Sequence, residues 1–316
     1  MNDVNDKKDV FILLGPTGIG KTGISIKIAK EISNIEIISA DSMQIYKYMD
    51  IGTDKPDKAI LSTIKHHMID IIKPDELYDV VKYCTMASQL IFDIVKRKKI
   101  SLMVGGTGLY FSSMITPLFS GPGKDLKYRK LLDKIVKKQG VNYLFDKLSA
   151  IDPDCTEKID KNDLQRITRA LEVYKMTGKT MTSLRRESTN INKYFNFHIF
   201  GLYRNREAIY NNINLRVDAM IEKGLIEEVE MLKKMGYRSH LHSMQGLGYK
   251  QINKYINNQY DKETAIFRIK ADTRHYAKRQ MTWFKNKIDH IKWFNLDQVD
   301  ENEIIAKITG KIIESY

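Results

Sequence analysis

The feature that most constrains this chain is Gly15-Pro16-Thr17-Gly18-Ile19-Gly20-Lys21-Thr22. It fits the pattern G-x-x-x-x-G-K-[ST] and follows directly on the apolar run Val10-Phe11-Ile12-Leu13-Leu14. A short run without polar alternation reads as a strand buried on both faces. Past the glycines, Ile24, Ile28 and Ile32 recur every four residues, the spacing of one helix face. Strand, glycine-rich loop and helix in that order make a phosphate loop. The glycines let backbone N–H groups curl around phosphate oxygens, Lys21 neutralises them, and the Thr22 hydroxyl is the expected Mg²⁺ ligand. All eight residues from Gly15 to Thr22 are therefore assigned to diphosphate or nucleotide binding. Two more apolar runs, 35–39 and 100–104, alternate with helical segments. That alternation implies βαβ units and a parallel sheet, with ligands at the carboxyl ends of its strands.

The second run leads into Ser39-Ala40-Asp41-Ser42. A carboxylate at this point lies beside the bound phosphates, where it can hold Mg²⁺ or accept a proton from a nucleophile. Position alone equally allows Asp41 to be a helix N-cap. A phosphate loop also does not specify the reaction, so kinase, NTPase and diphosphate-leaving transferase remain open.

Charge divides the chain. Lys and Arg number 52 against 39 Asp and Glu, a formal net charge of +13. A habit of using Lys, Ile and Asn can raise this figure without function, so its distribution matters more than its size. Residues 1–119 carry 15 basic and 14 acidic side chains, whereas residues 120–200 carry 17 and 10. Texture changes at the same place: Ser120-Gly121-Pro122-Gly123 is a breaker cluster, and 124–184 reads as helical, amphipathic and basic before a strand-like stretch resumes at 195–202. The chain from about 205 on reads as mostly helical, including 210–235 and 262–286. The fold expected is an α/β, P-loop NTPase-like core with a parallel sheet, formed by 1–119 and 198–316, plus an all-helical insertion at 120–197.

Several features carry no site of their own. Cys84 and Cys155 lack any partner at disulfide-framework or metal-ligand spacing. His66 and His67 are adjacent and so point apart, which argues against a metal pair and for a structural or substrate-positioning role. Trp283, Phe284, Trp293 and Phe294 have the rings to stack on bases, but aromatics at helical spacing are usually core. The polar start of the chain is not a signal peptide, and no apolar run reaches the ~20 residues that span a bilayer. A cytoplasmic protein without membrane attachment is expected.

Taken together, the motifs resemble the tRNA dimethylallyltransferase (tRNA isopentenyltransferase) family. The resemblance rests on Gly15 to Thr22, on Asp41-Ser42-Met43-Gln44 continuing to Pro56, on His66-His67-Met68-Ile69-Asp70, and on Gly105-Gly106-Thr107-Gly108. It extends through Asn162-Asp163-Leu164-Gln165-Arg166-Ile167-Thr168-Arg169, Arg216-Val217-Asp218, Gly246-Leu247-Gly248-Tyr249-Lys250, and the run from Thr273 to Phe284, about residues 10–285 in all. The resemblance implies transfer of a dimethylallyl group from dimethylallyl diphosphate to the N6 amine of the adenosine 3′-adjacent to the anticodon, with Mg²⁺ and release of diphosphate. Asp41, Lys21, Thr22 and Arg216 then become the catalytic set, Asp41 as base and Arg216 on the diphosphate. Contacts with the tRNA anticodon stem-loop fall to Asp41, Ser42, Met43, Gln44, Thr107, Arg129, Gln165, Arg166, Ile167, Thr168 and Arg169, with Gln245 and Lys250 as further members. The helical insertion becomes the tRNA-binding domain, and a monomer is expected. Three other readings stand beside this one: an adenylate isopentenyltransferase acting on free nucleotide, a P-loop nucleotide kinase, and an RNA-binding protein with a nucleotide-sensing core. The net +7 of residues 120–200 counts against the first.

Overall fold

In the computed structural model, which describes residues 7–116, 121–187 and 191–316, every apolar run read from the sequence is a strand of one parallel sheet. Its strands are β1 (Lys8–Leu14), β2 (Ile35–Ala40), β3 (His66–His67), β4 (Ile100–Gly105), β5 (Phe195–Tyr203) and β6 (Lys292–Asn295). They lie in the order β3-β2-β4-β1-β5-β6, all parallel. β2 and β4 are buried along their whole length, including the polar Glu36, Ser39 and Ser101 that interrupt their apolar residues. β3 and β6 carry too few residues to show a period, and sequence reading did not find them.

Chain reversals between parallel strands need helices. α1 (Lys21–Glu31), α2 (Lys58–Thr63), α3 (Val80–Lys96) and α4 (Gly108–Ile115) precede the insertion. α5 (Leu126–Ile151), α6 (Pro153–Thr156), α7 (Leu164–Thr177) and α8 (Met181–Glu187) lie within it. α9 (Arg206–Glu222), α10 (Leu225–Lys234), α11 (Tyr249–Ile256), α12 (Lys262–Lys287) and α13 (Glu301–Glu314) complete the chain. The single helix expected over 210–235 is two, because Gly224 takes φ 98° between α9 and α10, outside the range of a continuing helix. Ile24 and Ile28 of α1 are fully buried against Phe11 and Leu13 of β1 and Ile37 of β2, with Ile32 partly buried against the same cluster. Burying each such side chain stabilises the fold by about 1.5–3 kcal/mol. This packing holds the amino end of α1 at the carboxyl end of β1, where the glycine loop joins them.

The chain forms two compact units, Met1–Ile115 with Lys193–Tyr316, and Thr116–Asn192. β5 begins at Phe195, ahead of the sequence-based start of the second core piece at 198. The other sequence-based edge, 119/120, lies outside the described residues. The Thr116–Asn192 unit is helical and has its own core, in which Leu132, Leu144 and Leu148 of α5 meet Ile167, Ala170 and Leu171 of α7. At its centre the buried carboxylate of Glu172 accepts hydrogen bonds from Arg129 Nε and Nη2 and Arg169 Nη1, each at 2.7 Å, and from the Asp125 N–H at 2.8 Å. Burial opposes ionisation of Glu172, yet the two guanidinium partners outweigh it and hold the carboxyl pKa down to about 2.

Candidate active site

The glycine loop ends β1 and opens α1 with no side-chain cap. Gly20 occupies the N-cap position at φ 99°, and Gly18 has φ 79°, both left-handed conformations that a side chain would strain. The first N–H groups of α1 have no intrahelical partner, and no acidic residue stands in its first turn to satisfy them. They form an anion-binding terminus. Lys21 donates from Nζ to the Pro16 carbonyl at 2.8 Å, closing the loop on itself. Its ammonium is withdrawn from solvent, and that desolvation, with the positive charge of Arg216 nearby, lowers its pKa to about 7. Arg216, from α9, donates from Nη1 to Thr17 Oγ1 at 2.6 Å, and its Nε lies 3.3 Å from a carboxylate oxygen of Asp54. Lys21, Thr22, Arg216 and Asp41 line one cavity of about 450 Å³. The four residues that the sequence led us to expect as catalytic therefore line one cavity.

Asp41 follows the carboxyl end of β2. Its Oδ1 accepts the Met43 N–H at 2.8 Å and the Gln44 N–H at 3.4 Å, an Asx turn that orients the carboxylate. Among the described residues none hydrogen-bonds Oδ2. No helix begins here, so Asp41 is not a helix N-cap; one oxygen shapes the turn and the other is left without a protein partner among the described residues. Thr107, after β4, accepts the Ser42 N–H at 3.1 Å, which joins two of the expected contact stretches. Gln44 is committed to the protein, accepting from Ser39 Oγ and donating to the Thr53 and Asp54 carbonyls.

The loop that carries Asp54 is fixed from behind by residues that sequence reading missed. The buried Glu228 of α10 accepts the N–H groups of Asp50, Ile51 and Gly52 at 2.8, 2.7 and 3.1 Å, and the Tyr249 hydroxyl at 2.6 Å. Lys55 is tied to the Tyr46 carbonyl and to Asp50 and Asp70. Removing Glu228 strands several buried donors at once, so Glu228→Ala is expected to destabilise the protein by about 3 kcal/mol. A lowered urea midpoint with an unchanged slope checks this.

The other expected RNA contacts divide. Gln245 lines the cavity and donates to the Ser239 carbonyl, while Lys250 is exposed on α11 and outside the cavity lining. In the Thr116–Asn192 unit, Ile167 and Thr168 are buried in that unit's core and do not present their side chains for contact. Arg129 and Arg169 are held by Glu172, whereas Gln165 and Arg166 are exposed, Arg166 only loosely paired to Asp163 at 3.3 Å. His67 binds the buried Glu36 at 2.7 Å, and His66 Nδ1 bonds the Ile64 carbonyl at 2.8 Å while lining the cavity. Phe284 and Phe294 are core residues. The described residues contain no group of three or more His, Cys, Asp or Glu able to hold a metal by themselves. No described helix is long and apolar enough to cross a membrane.

This arrangement can be set against proteins already characterised. The family model described as IPP transferase matches residues 44–287. The chain belongs to that family. This IPP transferase is 46% identical over 300 residues to the tRNA dimethylallyltransferase of Acetivibrio thermocellus, covering 95% of each chain. Among solved structures it is similar to the full-length tRNA isopentenylpyrophosphate transferase of Bacillus halodurans, at 38% identity and a TM-score of 0.71, covering 98% of this chain and 96% of that one. It is also similar to a eukaryotic dimethylallyltransferase acting on tRNA, at 28% identity and a TM-score of 0.77, covering 98% and 80%. The α/β fold with its P-loop NTPase-like core is that of these neighbours.

Proposed function

We propose that this IPP transferase moves a dimethylallyl group from dimethylallyl diphosphate to the exocyclic N6 amine of the adenosine 3′-adjacent to the anticodon in tRNA, releasing diphosphate. The observation that carries the reading is the convergence of a phosphate loop and an oriented carboxylate, Asp41, on one cavity. Membership of a family whose relatives are tRNA dimethylallyltransferases supports it over the kinase and free-nucleotide readings.

In this mechanism the N6 nitrogen attacks C1 of the dimethylallyl group, the C1–O bond breaks, and its electron pair leaves with diphosphate. An aromatic amine is a weak nucleophile, so Asp41 accepts the N6 proton as the new C–N bond forms. The leaving group gains negative charge, which the amino end of α1, Lys21 and Arg216 stabilise in place. Release of Arg216 from Asp54 frees it for the diphosphate. The donor set at the loop, one hydroxyl from Thr22 with phosphate oxygens and water, suits Mg²⁺, which binds with few protein ligands. Mg²⁺ held by Thr22 would supply charge neutralisation to the diphosphate leaving group.

The target adenosine has to leave the anticodon-loop stack to reach this cavity. Met43 and Gln245 at its wall are proposed to meet the flipped nucleotide, with Thr107 holding the neighbouring Ser42 N–H, and Gln165 and Arg166 are proposed to meet the rest of the RNA. Arg166→Ala is expected to weaken stem-loop binding and reduce the salt slope by about one charge. Arg169→Ala should instead destabilise the helical unit by unpairing Glu172. The protein is proposed to act as a cytoplasmic monomer.

One assay tests the activity. Purified protein is given labelled dimethylallyl diphosphate and Mg²⁺ with an unmodified anticodon stem-loop, AMP or ATP as acceptor. Label is expected in the stem-loop alone. Label in AMP and never in RNA would overturn the reading.

A further inference from the structure

We infer that Gln280 is a positioning residue that sets the separation between the diphosphate loop and the proton-accepting carboxylate. The inference rests on the reading of Asp41 as that acceptor. Gln280 lies in α12 and is buried. Its Oε1 accepts the Thr17 N–H at 2.9 Å, and its Nε2 donates to the Gly106 carbonyl at 2.7 Å. One side-chain amide thus joins the loop after β1 to the loop after β4. The connection continues on both sides. Thr17 also receives the Arg216 guanidinium on its hydroxyl. Gly106 is followed by Thr107, whose hydroxyl holds the Ser42 N–H beside Asp41.

Three points make this more than a core hydrogen bond. First, the site demands one acceptor toward Thr17 and one donor toward Gly106, so a reversed amide would face donor to donor and acceptor to acceptor. Second, Gly106 has no room for a side chain, because a Cβ there would sit 2.3 Å from Gln280 Nε2. The glycine permits the close approach that the amide needs. Third, the Thr17 N–H is spent on Gln280 and is not offered to phosphate, so the bond orients the loop without competing for the ligand. Gln280 lines the cavity, but both ends of its amide are spent on Thr17 and Gly106, and it is through these two that it acts. Its loss leaves both ligand-binding surfaces present but misaligned, and a 1 Å misplacement costs about 100-fold in rate.

The test is Gln280→Met, which keeps length and loses both hydrogen bonds, beside Gly106→Ala, which keeps the amide and pushes it away. Single-turnover rates at saturating dimethylallyl diphosphate and stem-loop are measured with Mg²⁺. Dissociation constants for inorganic diphosphate and for the stem-loop are measured separately. Both variants are expected to lose about 100-fold in rate with each dissociation constant within about threefold of wild type. The double variant should be no slower than Gln280→Met alone, since both changes cut the same link. A rate within about threefold of wild type in either variant overturns the inference, as do dissociation constants that weaken as much as the rate. If Gln280→Met fails to fold, Gly106→Ala carries the same criteria. A wild-type protein that prenylates no RNA would overturn the underlying reading instead, which keeps the two failures distinct.

Discussion

Asp41→Asn is expected to lower the rate of prenyl transfer at saturating substrates by about 10²- to 10⁴-fold, the range that positioned proton transfer contributes. The substitution is chosen for what it leaves intact. Asn keeps an oxygen to accept the Met43 and Gln44 N–H groups, so the turn over 41–44 and the Ser42–Thr107 bond should survive. What it removes is the ability of the second oxygen to take a proton. Stem-loop binding should therefore stay within about threefold of wild type, the pattern of an interaction made only in the transition state. Asp41→Ala is a less clean probe, because it also deletes the turn acceptor and shifts Met43 and Gln44. Equal losses in rate and binding for Asp41→Asn would make Asp41 a positioning residue, and the search for the base would move elsewhere in the cavity.

The residues that sequence reading found and those it missed differ in how far their signal reaches along the chain. The phosphate loop is a contiguous motif whose chemistry is local, and β1, β2, β4 and β5 are short segments dominated by apolar residues, so both were legible. Lys21, Thr22 and Asp41 were placed because each sits at a fixed offset from such a run. Arg216 came only through family resemblance, since one arginine among 52 basic residues has no local pattern, and the structure brings it to Thr17 from 199 positions away. Glu228 had no signal at all, and Gln280 stood only as one residue of the Thr273 to Phe284 run that carries the resemblance, with no role attached. Their partners lie 178 and 263 residues distant, and a Glu in an amphipathic helix or a Gln in a long basic one reads as solvent-facing. Arg129 and Arg169 show the converse. The resemblance assigned them to RNA contact without any hint that Glu172, on the same helix as Arg169, accepts hydrogen bonds from both guanidinium groups, which stay partly exposed.

Lys21→Met is expected to weaken binding of inorganic diphosphate by about 10- to 100-fold at pH 6, the value of a charged hydrogen-bonded contact. The more discriminating expectation concerns pH. In the free protein burial and Arg216 depress the Lys21 pKa to about 7, so the ammonium is charged below that pH and neutral above it. Diphosphate brings negative charge to the loop and pulls the pKa back up, so binding above pH 7 takes up a proton at Lys21. The advantage of wild type over Lys21→Met should accordingly fall by up to about tenfold per pH unit above 7. Diphosphate's own titration is common to both proteins and cancels in their ratio. Calorimetric titration of both proteins from pH 6 to 9 reads this directly, and a ratio that stays constant would remove Lys21 from the list of titrating phosphate contacts. The same shift has a stability counterpart of definite sign. Between pH 7 and the ordinary lysine pKa near 10.5 the unfolded chain holds a proton that the native Lys21 has shed, so this group makes the ligand-free protein more stable as pH rises through that window. Saturating diphosphate should cancel that rise, because the bound anion restores the proton to the native state. A lysine whose charge is lost above about pH 7 lets the loop close on the Pro16 carbonyl at a lower cost of buried charge, and the diphosphate restores that charge on binding.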